Sequence, residues 1–452
     1  MVRAGVGRVD ITAPVGSYLT GFAGRPGPST GVHDSLEAQV LVLESGGTRA
    51  AVVTADILSF DDGIIERIAD ALRAEAGIAP DHILLCASHT HSGPAVRAIH
   101  GMGAPDAKYL DSAADAIAGA ICRAAEQMAP VRVGAARAEV SIGVNRRRKT
   151  DKGIALAPEP SKPIDPDLSV LRVDDQAGKP ICILFNHACH GVVLGGNNTL
   201  MSADWIGYAR REIERRFARV AASAFDCPQA RGEAAPAVVM FAQGCCADIN
   251  PAEMGTFEMA QRQGERVAEA VAGLVPSIQT APVERVGAAS VAFEMPLLPL
   301  PSLEEARKEL ADAAQQVAAL EEKGASTGRI NGAKAMLAWA ERLVEAAQQR
   351  GAPPMRSRVT AVSLDGIALV GLPGEVFCEI GMNIRASSPF ARTFVIAYAN
   401  RVLGYIPTRQ AYDEGGYEVD GAYKYYGIAK VAPTAQEALE HAAAQALIML
   451  RR

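Results

Sequence analysis

Two histidines one residue apart, His89 and His91, stand where a strongly apolar stretch of the chain gives way to a turn. Residues 83–85 are all aliphatic and predict a buried strand, and Gly93-Pro94 predicts the turn after the histidines. Histidine is a frequent transition-metal ligand and exchanges a proton near neutral pH, so this pair could supply a ligand and an acid–base group. For an isolated His-x-His the commoner explanation is one buried structural histidine and one surface histidine, and only the later parts of the chain favour a site.

The same arrangement recurs later in the chain. Four further apolar runs, at 181–185, 238–241, 367–370 and 394–398, end in polar segments that contain His187, His190, Asp248, Asn250, Glu375 and Asn400. Because ligands of α/β proteins collect outside the carboxyl ends of strands, the five strand ends together predict one site. The simpler interpretation, that polar residues merely begin loops, does not explain two histidine groups and a Gly-Glu turn.

Strands and amphipathic helices alternate around these strand ends. Strands are predicted at 6–12, 37–44 and 49–56, a Gly/Pro-rich loop at 21–31, and helices at 62–76, 107–128, 204–219 and 257–275. This order predicts a single α/β domain over residues 1–452, with a mixed sheet flanked by helices.

The C-terminal third of the chain adds two helical features. Residues 302–350 are rich in Ala, Glu, Gln and Lys with a break at 324–332, and they predict an inserted helical hairpin that serves as a lid or an oligomer contact. A capping box at Thr434-Ala435-Gln436-Glu437 predicts the start of a final helix that runs nearly to the C-terminus.

Composition excludes several classes of protein. A hydrophobic content of 49% in 452 residues indicates a large globular core, and a net charge of −6 argues against a nucleic-acid partner. The longest basic run, residues 146–149, is interpreted as a solvated loop. No apolar run approaches the ~20 residues that span a bilayer, and the N-terminus lacks the apolar core of a signal peptide, which predicts a cytoplasmic protein without an integral membrane segment. The eight cysteines predict reduced core thiols.

Short motifs distributed over nearly the whole chain carry a family resemblance. They are Gly7-Arg8-Val9-Asp10-Ile11-Thr12, Gly31-Val32-His33-Asp34, His89-Thr90-His91-Ser92-Gly93-Pro94, Val144-Asn145-Arg146, Ala188-Cys189-His190, Ser202-Ala203-Asp204-Trp205-Ile206-Gly207-Tyr208-Ala209, Leu372-Pro373-Gly374-Glu375, Gly404-Tyr405 and Tyr417-Glu418. In this combination and order the chain resembles the catalytic N-terminal domain of the neutral/alkaline (non-lysosomal) ceramidases, zinc-dependent amidases that cleave the N-acyl bond of ceramide. The resemblance implies an α/β catalytic domain.

The resemblance also implies a site. It places Zn²⁺ on His89, His190, Glu375 and Tyr405, and it gives His91, Arg146 and Tyr417 the task of orienting and polarising the substrate carbonyl. Residue chemistry agrees, because catalytic zinc takes about three His or carboxylate ligands and keeps one open position. Tyr405 could instead be a core tyrosine bonded to a carbonyl, and Arg146 could be a surface ion-pair residue. His187 corresponds to no family position and is interpreted as structural.

The chain departs from the family pattern at one chemically important turn. The family carries Gly-Asp-Val-Ser-Pro-Asn, with a serine proposed as functional, where this chain has Ala247-Asp248-Ile249-Asn250-Pro251. Asn250 is a poor nucleophile, so water activated by the metal is the predicted nucleophile, with His91 accepting its proton. Asp248 is expected to orient a ligand histidine, and Asn250 is expected to contact substrate.

The sequence therefore predicts a zinc-dependent hydrolase of an amide bond, acting on a small-molecule or lipid-like N-acyl substrate. An esterase or lactonase of a small molecule is the alternative within enzymes, and a non-catalytic metal-binding homologue is the alternative outside them. Retention of all proposed zinc ligands together with Arg146 and Tyr417 weighs against the non-catalytic alternative. Assembly into a homo-oligomer is left open.

Overall fold

The computed structural model describes residues 1–223, 237–349, 351–352 and 354–451. The strands are β1 (Arg3–Asp10), β2 (Gly31–Val32), β3 (Glu37–Ser45), β4 (Thr48–Ala55), β5 (Ile83–Ala87), β6 (Ala129–Pro130), β7 (Arg132–Glu139), β8 (Gly143–Asn145), β9 (Arg147–Thr150), β10 (Gly153–Leu156), β11 (Asp167–Asp174), β12 (Pro180–His187), β13 (Leu200–Met201), β14 (Val238–Gln243), β15 (Ile249–Pro251), β16 (Ala281–Pro282), β17 (Val286–Glu294), β18 (Arg356–Leu364), β19 (Ile367–Gly371), β20 (Glu375–Val376), β21 (Arg392–Ile396) and β22 (Tyr405–Ile406). The α-helices are α1 (Asp62–Glu75), α2 (Ala107–Glu126), α3 (Asp204–Ser223), α4 (Phe257–Leu274), α5 (Leu303–Glu322), α6 (Thr327–Gln348), α7 (Cys378–Ser387), α8 (Ala411–Glu414), α9 (Ala422–Tyr425) and α10 (Ala435–Leu450).

Three sheets form the framework of the molecule. The first sheet has the order β5-β4-β3-β1-β6, the second β14-β12-β11-β7-β16 and the third β17-β18-β19-β21. Each sheet is mixed, because antiparallel pairs are joined to one parallel pair, namely β4 with β5, β12 with β14, and β19 with β21. The predicted mixed α/β class is confirmed, although the described strands form three larger sheets and four two-stranded ones, and the sequence pattern predicts only one sheet.

Three strands of the first sheet, β3, β4 and β5, are buried on both faces over most of their length. In β3, Val40 and Val42 belong to one apolar core, while Leu41 and Leu43 belong to another. Successive side chains of a strand point to opposite faces, so a continuous aliphatic run of this kind requires a covered face on each side. The second core, which holds Leu41, draws buried residues from all three sheets and packs them against one another.

The carboxyl ends of three parallel-paired strands meet at one place. The backbone N–H of Ala397, just after β21, donates to the carbonyl of Gln243 at the end of β14 (3.0 Å). The N–H of Ala87, at the end of β5, donates to the carbonyl of Tyr398 (3.2 Å). Polar segments that follow different sheets are thereby brought together, as the five strand ends predict.

Helices α5 and α6 form the predicted hairpin, and they pack against each other around Trp339 and Leu343. The turn between them is shorter than the predicted break at 324–332, because α6 already begins at Thr327. Trp339 Nε1 donates to the carbonyl of Ile428 (3.0 Å), so the hairpin is bonded to the segment that follows α9. Its status as an insertion into a single domain stays a prediction.

Two local predictions are wrong. Thr434 at the start of α10 has helical backbone angles and makes no side-chain capping bond, whereas a capping box forms at Ser302 and Glu305 of α5. The basic run 146–149 is not a solvated loop, because Arg146 and Arg147 are buried. In the described parts of the chain, no helix combines the length and apolar character needed to cross a bilayer.

Candidate metal centre

His89 follows β5 with a backbone φ of 59°, a left-handed conformation that residues other than glycine rarely adopt. Such strain concentrates at functional sites. Its ring Nδ1 lies 2.8 Å from the carbonyl of Leu58, to which it donates. Nε2 therefore keeps its lone pair, and it lies 3.3 Å from Oε2 of Glu375.

His190 follows β12 and is fully buried. Its Nδ1 donates to the carbonyl of Cys246 (2.6 Å), with the carbonyl of Ile249 at 3.1 Å. Burial lowers the pKa of His190 to about 4, so the ring is neutral at physiological pH. Its Nε2 lies 3.6 Å from Oε2 of Glu375 and has its lone pair free.

Glu375 lies in β20, whose parallel pairing with β22 places it directly beside Tyr405. Burial acts to raise the pKa of the Glu375 carboxyl, but the two neighbouring histidines, His89 and His190, lower it well below its ordinary value. Oε1 accepts a hydrogen bond from the hydroxyl of Tyr426. Oε2 faces the two histidines.

His91 completes the group of imidazoles. Its Nε2 lies 3.2 Å from Nε2 of His89, and the nearest ring nitrogens of His89, His91 and His190 all lie within 4.8 Å of one another. Burial, together with the two other histidines, lowers its pKa well below the ordinary value. Gly21 has a φ of 96° and packs against this ring, where a Cβ would collide with it.

These atoms form a donor set that fits a metal ion. Nε2 of His190 and Oε2 of Glu375 are buried and have no hydrogen-bond partner among the residues that the structure describes. With the Nδ1 atoms of His89 and His190 committed to carbonyls, three electron-pair donors face one another across 3.3 and 3.6 Å. Such an arrangement needs a cation or a proton between the donors, and imidazole nitrogen with carboxylate oxygen is a set that zinc prefers.

Arg146 lies beside this group and is only 7% exposed, which excludes the surface ion-pair interpretation. Its Nε donates to Glu418 (2.8 Å), and its two terminal nitrogens donate to Oδ1 of Asn250 (3.2 Å) and to the hydroxyl of Tyr405 (3.1 Å). Burial acts against the charged guanidinium, but Tyr405 and Glu418 raise the pKa of Arg146 well above its ordinary value. Arg146 is therefore a fixed positive charge.

Two tyrosines face one another next to Arg146. The hydroxyl of Tyr405 bonds Arg146, so the alternative of a core tyrosine bonded to a backbone carbonyl is not what the structure shows. Tyr417 begins a π-helical turn, Tyr417–Gly421, and its ring meets that of Tyr405 edge-on at 5.8 Å. Burial raises the pKa of Tyr417, so its phenol is a neutral hydrogen-bond donor.

Asp248 does not contact a ligand histidine. Oδ1 accepts from the backbone N–H of Cys378 (2.9 Å), and Oδ2 accepts from Asn145 (3.1 Å). The ligand histidines are oriented by backbone carbonyls instead, so the expected role of Asp248 is replaced by a structural one. Asn250, in contrast, reaches the site through its bond to Arg146. His187 lies outside the group and bonds the carbonyl of Asp167.

Sequence reasoning assigned no role in the site to three residues, namely Glu418, Tyr426 and Tyr398. Glu418 is buried and accepts from both Arg146 (2.8 Å) and Arg147 (2.7 Å), and Tyr426 bonds the ligand carboxylate. Tyr398 stacks on the ring of His89 with the centroids 4.0 Å apart. For Glu418 and Tyr426, the available signal was the concentration of tyrosine and acidic residues in 417–426. This segment begins with the Tyr417-Glu418 motif of the resemblance.

Comparison with known proteins identifies the family. Residues 2–282, more than half of the chain, match the model of the family described as neutral/alkaline non-lysosomal ceramidase, N-terminal. The chain belongs to this ceramidase family. His89, Arg146 and His190 lie within the matched residues, whereas Glu375, Tyr405 and Tyr417 lie beyond them, and the fold brings the two sets of side chains together.

Individual ceramidases are similar over part of their length. Neutral ceramidase A of Dictyostelium discoideum is 30% identical over 224 residues, which are 46% of this chain and 31% of that protein. The neutral ceramidase of Pseudomonas aeruginosa is 26% identical over 245 residues, 49% of this chain and 35% of that protein. The matched segments thus make up about a third of the length of these two relatives.

Solved ceramidase structures share the fold. The crystal structure of neutral ceramidase from Pseudomonas aeruginosa matches the whole of this chain with a TM-score of 0.72 at 19% identity. The match covers 74% of the Pseudomonas aeruginosa chain. A ceramidase complexed with C2 matches with a TM-score of 0.73 at 20% identity, again over the whole of this chain and 75% of the other. Both matches support the mixed α/β architecture described above.

Proposed function

We propose that this chain is a zinc-dependent hydrolase that cleaves an N-acyl amide bond. One observation carries the proposal: the unpartnered Nε2 of His190 and Oε2 of Glu375 face each other beside Nε2 of His89 in a buried group. His89, His190 and Glu375 would hold the ion, with Tyr405, the strand-pairing partner of Glu375, close by. Zinc bound there would supply Lewis acidity, which polarises a carbonyl and lowers the pKa of water to roughly 7.

The substrate class follows from the family. The matched relatives are named neutral ceramidases, and one matched structure is a ceramidase complexed with C2. Ceramide is an N-acylated amino alcohol, so hydrolysis of an N-acyl amide is the family chemistry to test first. An ester or lactone presents a carbonyl of the same geometry, which makes it the appropriate competing substrate.

Arg146 and Tyr417 suit the charge that develops on the carbonyl oxygen. A tetrahedral intermediate of amide hydrolysis carries a negative oxygen, and preorganised donors aimed at it lower the barrier. Arg146 carries a permanent charge held by Glu418, and Tyr417 offers a neutral hydroxyl next to Tyr405. Arg146 needs little reorganisation during the reaction, because it is buried and held by three side-chain hydrogen bonds, whereas Tyr417 is partly buried and packs against the ring of Tyr405.

His91 suits the proton transfer. Its pKa lies well below the ordinary value because of burial, so the ring is neutral and can accept a proton at Nε2. A protonated His91 could then donate to the leaving amine, as a general base becomes a general acid in the second half of the reaction.

Water is the proposed nucleophile. The carboxamide of Asn250 accepts a hydrogen bond from Arg146, which suits a positioning role and not nucleophilic attack. Ser92 is buried, and its hydroxyl accepts from Asn198 (3.0 Å) without a hydrogen bond to any histidine in the described part of the chain. A serine-directed phosphonate should therefore neither inhibit nor label the protein.

The first experiment is metal analysis of purified wild type, His190→Ala and His187→Ala. His190→Ala should lose the metal, because it removes a first ligand, whereas His187→Ala removes a buried imidazole that bonds only the carbonyl of Asp167 and should retain it. Chelation should stop hydrolysis and zinc should restore it. A His190→Ala protein with full zinc content would refute the assignment of the ligands.

The second experiment is a substrate panel that includes a short-chain N-acyl amide, its ester analogue, a lactone and ceramide in detergent. Faster turnover of amides than of matched esters supports the amidase, and the reverse order replaces it with the esterase or lactonase. Zinc binding without turnover of any substrate would favour the non-catalytic homologue.

A further inference from the structure

Tyr398 occupies the point where the three ligand-bearing segments meet. It is fully buried, and its φ of 53° places a bulky aromatic residue in a left-handed conformation. A conformation this costly persists only where the surrounding structure holds it in place. The backbone of Tyr398 donates to the carbonyl of Gly374 (3.1 Å), next to Glu375, and accepts from Ala87 (3.2 Å), which ends the strand before His89.

The ring of Tyr398 lies under His89. The two ring centroids are 4.0 Å apart with an interplanar angle of 26°, which is a stacked arrangement. The Nδ1 bond to Leu58 fixes the direction of the His89 ring in its plane, and the tyrosine face fixes the tilt of that plane. Together the two contacts fix the His89 ring in the orientation in which its Nε2 faces Glu375.

The hydroxyl of Tyr398 reaches the other histidine indirectly. It lies 3.4 Å from Sγ of Cys246, and the carbonyl of Cys246 accepts from Nδ1 of His190 at 2.6 Å. The ring of Tyr398 also approaches His190 edge-on, with centroids 6.1 Å apart. The Tyr398 side chain therefore contacts the ring of His89 directly, and it contacts Cys246, whose carbonyl bonds His190.

We propose that Tyr398 is a positioning residue of the metal centre: its ring sets the plane of His89, and its hydroxyl, through Cys246, steadies His190. The inference rests on the proposed function, since it assumes that these histidines bind a metal. Partners that orient ligand histidines typically contribute roughly 10- to 100-fold to metal affinity. Tyr398 is not proposed to touch the substrate.

The test is the zinc affinity of purified wild type, Tyr398→Leu and Tyr398→Phe, measured by competition with a chromophoric chelator. Tyr398→Leu removes the stacked ring and should weaken zinc binding roughly 10- to 100-fold. Tyr398→Phe keeps the ring but loses the contact with Cys246, and should weaken binding about 2- to 10-fold, the effect of one net hydrogen bond. With Co²⁺ in place of zinc, the visible absorption bands of Tyr398→Leu should shift, because ligand geometry changes.

Tyr109 supplies the matched control. It is also a buried tyrosine, and its hydroxyl donates to the carbonyl of Ile11 (2.8 Å), away from the metal centre. Tyr109→Leu and Tyr109→Phe should lose stability to an extent similar to the Tyr398 variants, yet bind zinc as tightly as wild type. Equal losses of affinity at both positions would reduce Tyr398 to a core residue and overturn the proposal.

The remaining outcomes are equally decisive. A folded Tyr398→Leu protein, judged by circular dichroism, with zinc affinity within threefold of wild type overturns the proposal. If Tyr398→Leu does not fold, Tyr398→Phe decides, because an unchanged affinity there removes the link to Cys246. Wild type that binds no zinc would refute the proposed function itself, whereas normal wild-type binding with indifferent Tyr398 variants refutes only this inference.

Discussion

Replacing Glu418 with glutamine removes a negative charge that two buried arginines share. Oε1 of Glu418 accepts from Arg146 at 2.8 Å and Oε2 accepts from Arg147 at 2.7 Å, and the Glu418 side chain is fully buried. Arg147 keeps a second carboxylate partner, Glu414, whereas Arg146 keeps only the neutral oxygens of Tyr405 and Asn250. The change therefore leaves Arg146 buried without a directly bonded carboxylate, although the charge of Glu375 still acts on it.

The expected cost follows from that imbalance. Removing one partner of a buried ion pair typically destabilises a protein by about 3–5 kcal/mol, because the remaining charge stays desolvated. Glutamine matches glutamate in shape and retains one acceptor oxygen, so we expect a loss near the lower end, about 3 kcal/mol of unfolding free energy. Arg146 should also lose its fixed direction, and hydrolysis should fall roughly 100-fold, as when one oxyanion donor is removed.

Urea unfolding at pH 7 and steady-state hydrolysis measure the two effects. The matched control is Glu294→Gln, which breaks an ion pair with Arg356 in which both side chains are more than half exposed, and it should cost about 0–1 kcal/mol. Zinc content should be unchanged in both variants, since neither residue belongs to the ligand set. Glu418→Gln with stability and activity indistinguishable from Glu294→Gln would refute the ionic role assigned to Glu418.

Three further predictions concern other contacts of the site. Tyr426→Phe removes the hydroxyl that bonds Glu375 and should weaken zinc binding roughly 10-fold with little change in fold, measured by chelator competition. Trp339→Phe removes the bond to Ile428 and should cost about 1 kcal/mol in urea unfolding and lower kcat severalfold at unchanged zinc content. Burial raises the pKa of Asp248 from 3.8 to about 6, so its contribution to stability is complete below pH 4 and is lost as pH rises through 6. Relative to Asp248→Asn, wild type should lose roughly 3 kcal/mol of unfolding free energy between pH 4 and 7, and an equal pH profile for both would refute this.

Local sequence patterns predicted the strands and singled out the candidate metal-binding residues for a physical reason. A buried strand must be a run of apolar residues, and a histidine that follows such a run is conspicuous, so the positions of His89 and His190 could be read directly from the sequence. The ends of α1, α2 and α4 agree with the apolar periodicity to within two residues. The type of a residue and the apolar run that precedes it are both local properties of the chain.

The arrangement of sheets could not be predicted in the same way. The carboxyl ends of β5, β14 and β21 meet through bonds between segments more than 100 residues apart, and no periodicity records that contact. The burial of Arg146 and Arg147 is likewise invisible locally, because it depends on a carboxylate about 270 residues later. A basic run is normally solvated, and here a distant acidic residue reverses that expectation.

The distant carboxylate, Glu418, belongs to a short segment that contacts several groups of the site. The segment from Tyr417 to Tyr426 supplies a phenol beside Tyr405, the carboxylate that fixes Arg146, and the hydroxyl that bonds Glu375. Its far end is bonded to Trp339 of the hairpin through Ile428, and Lys424 lies over the Trp339 ring at 4.4 Å. Because one short segment serves three groups of the site, its displacement would disturb all three together. We therefore expect hairpin variants to lower catalysis and to weaken zinc binding no more than Tyr426→Phe does, since His89 and His190 are held by carbonyls outside this segment.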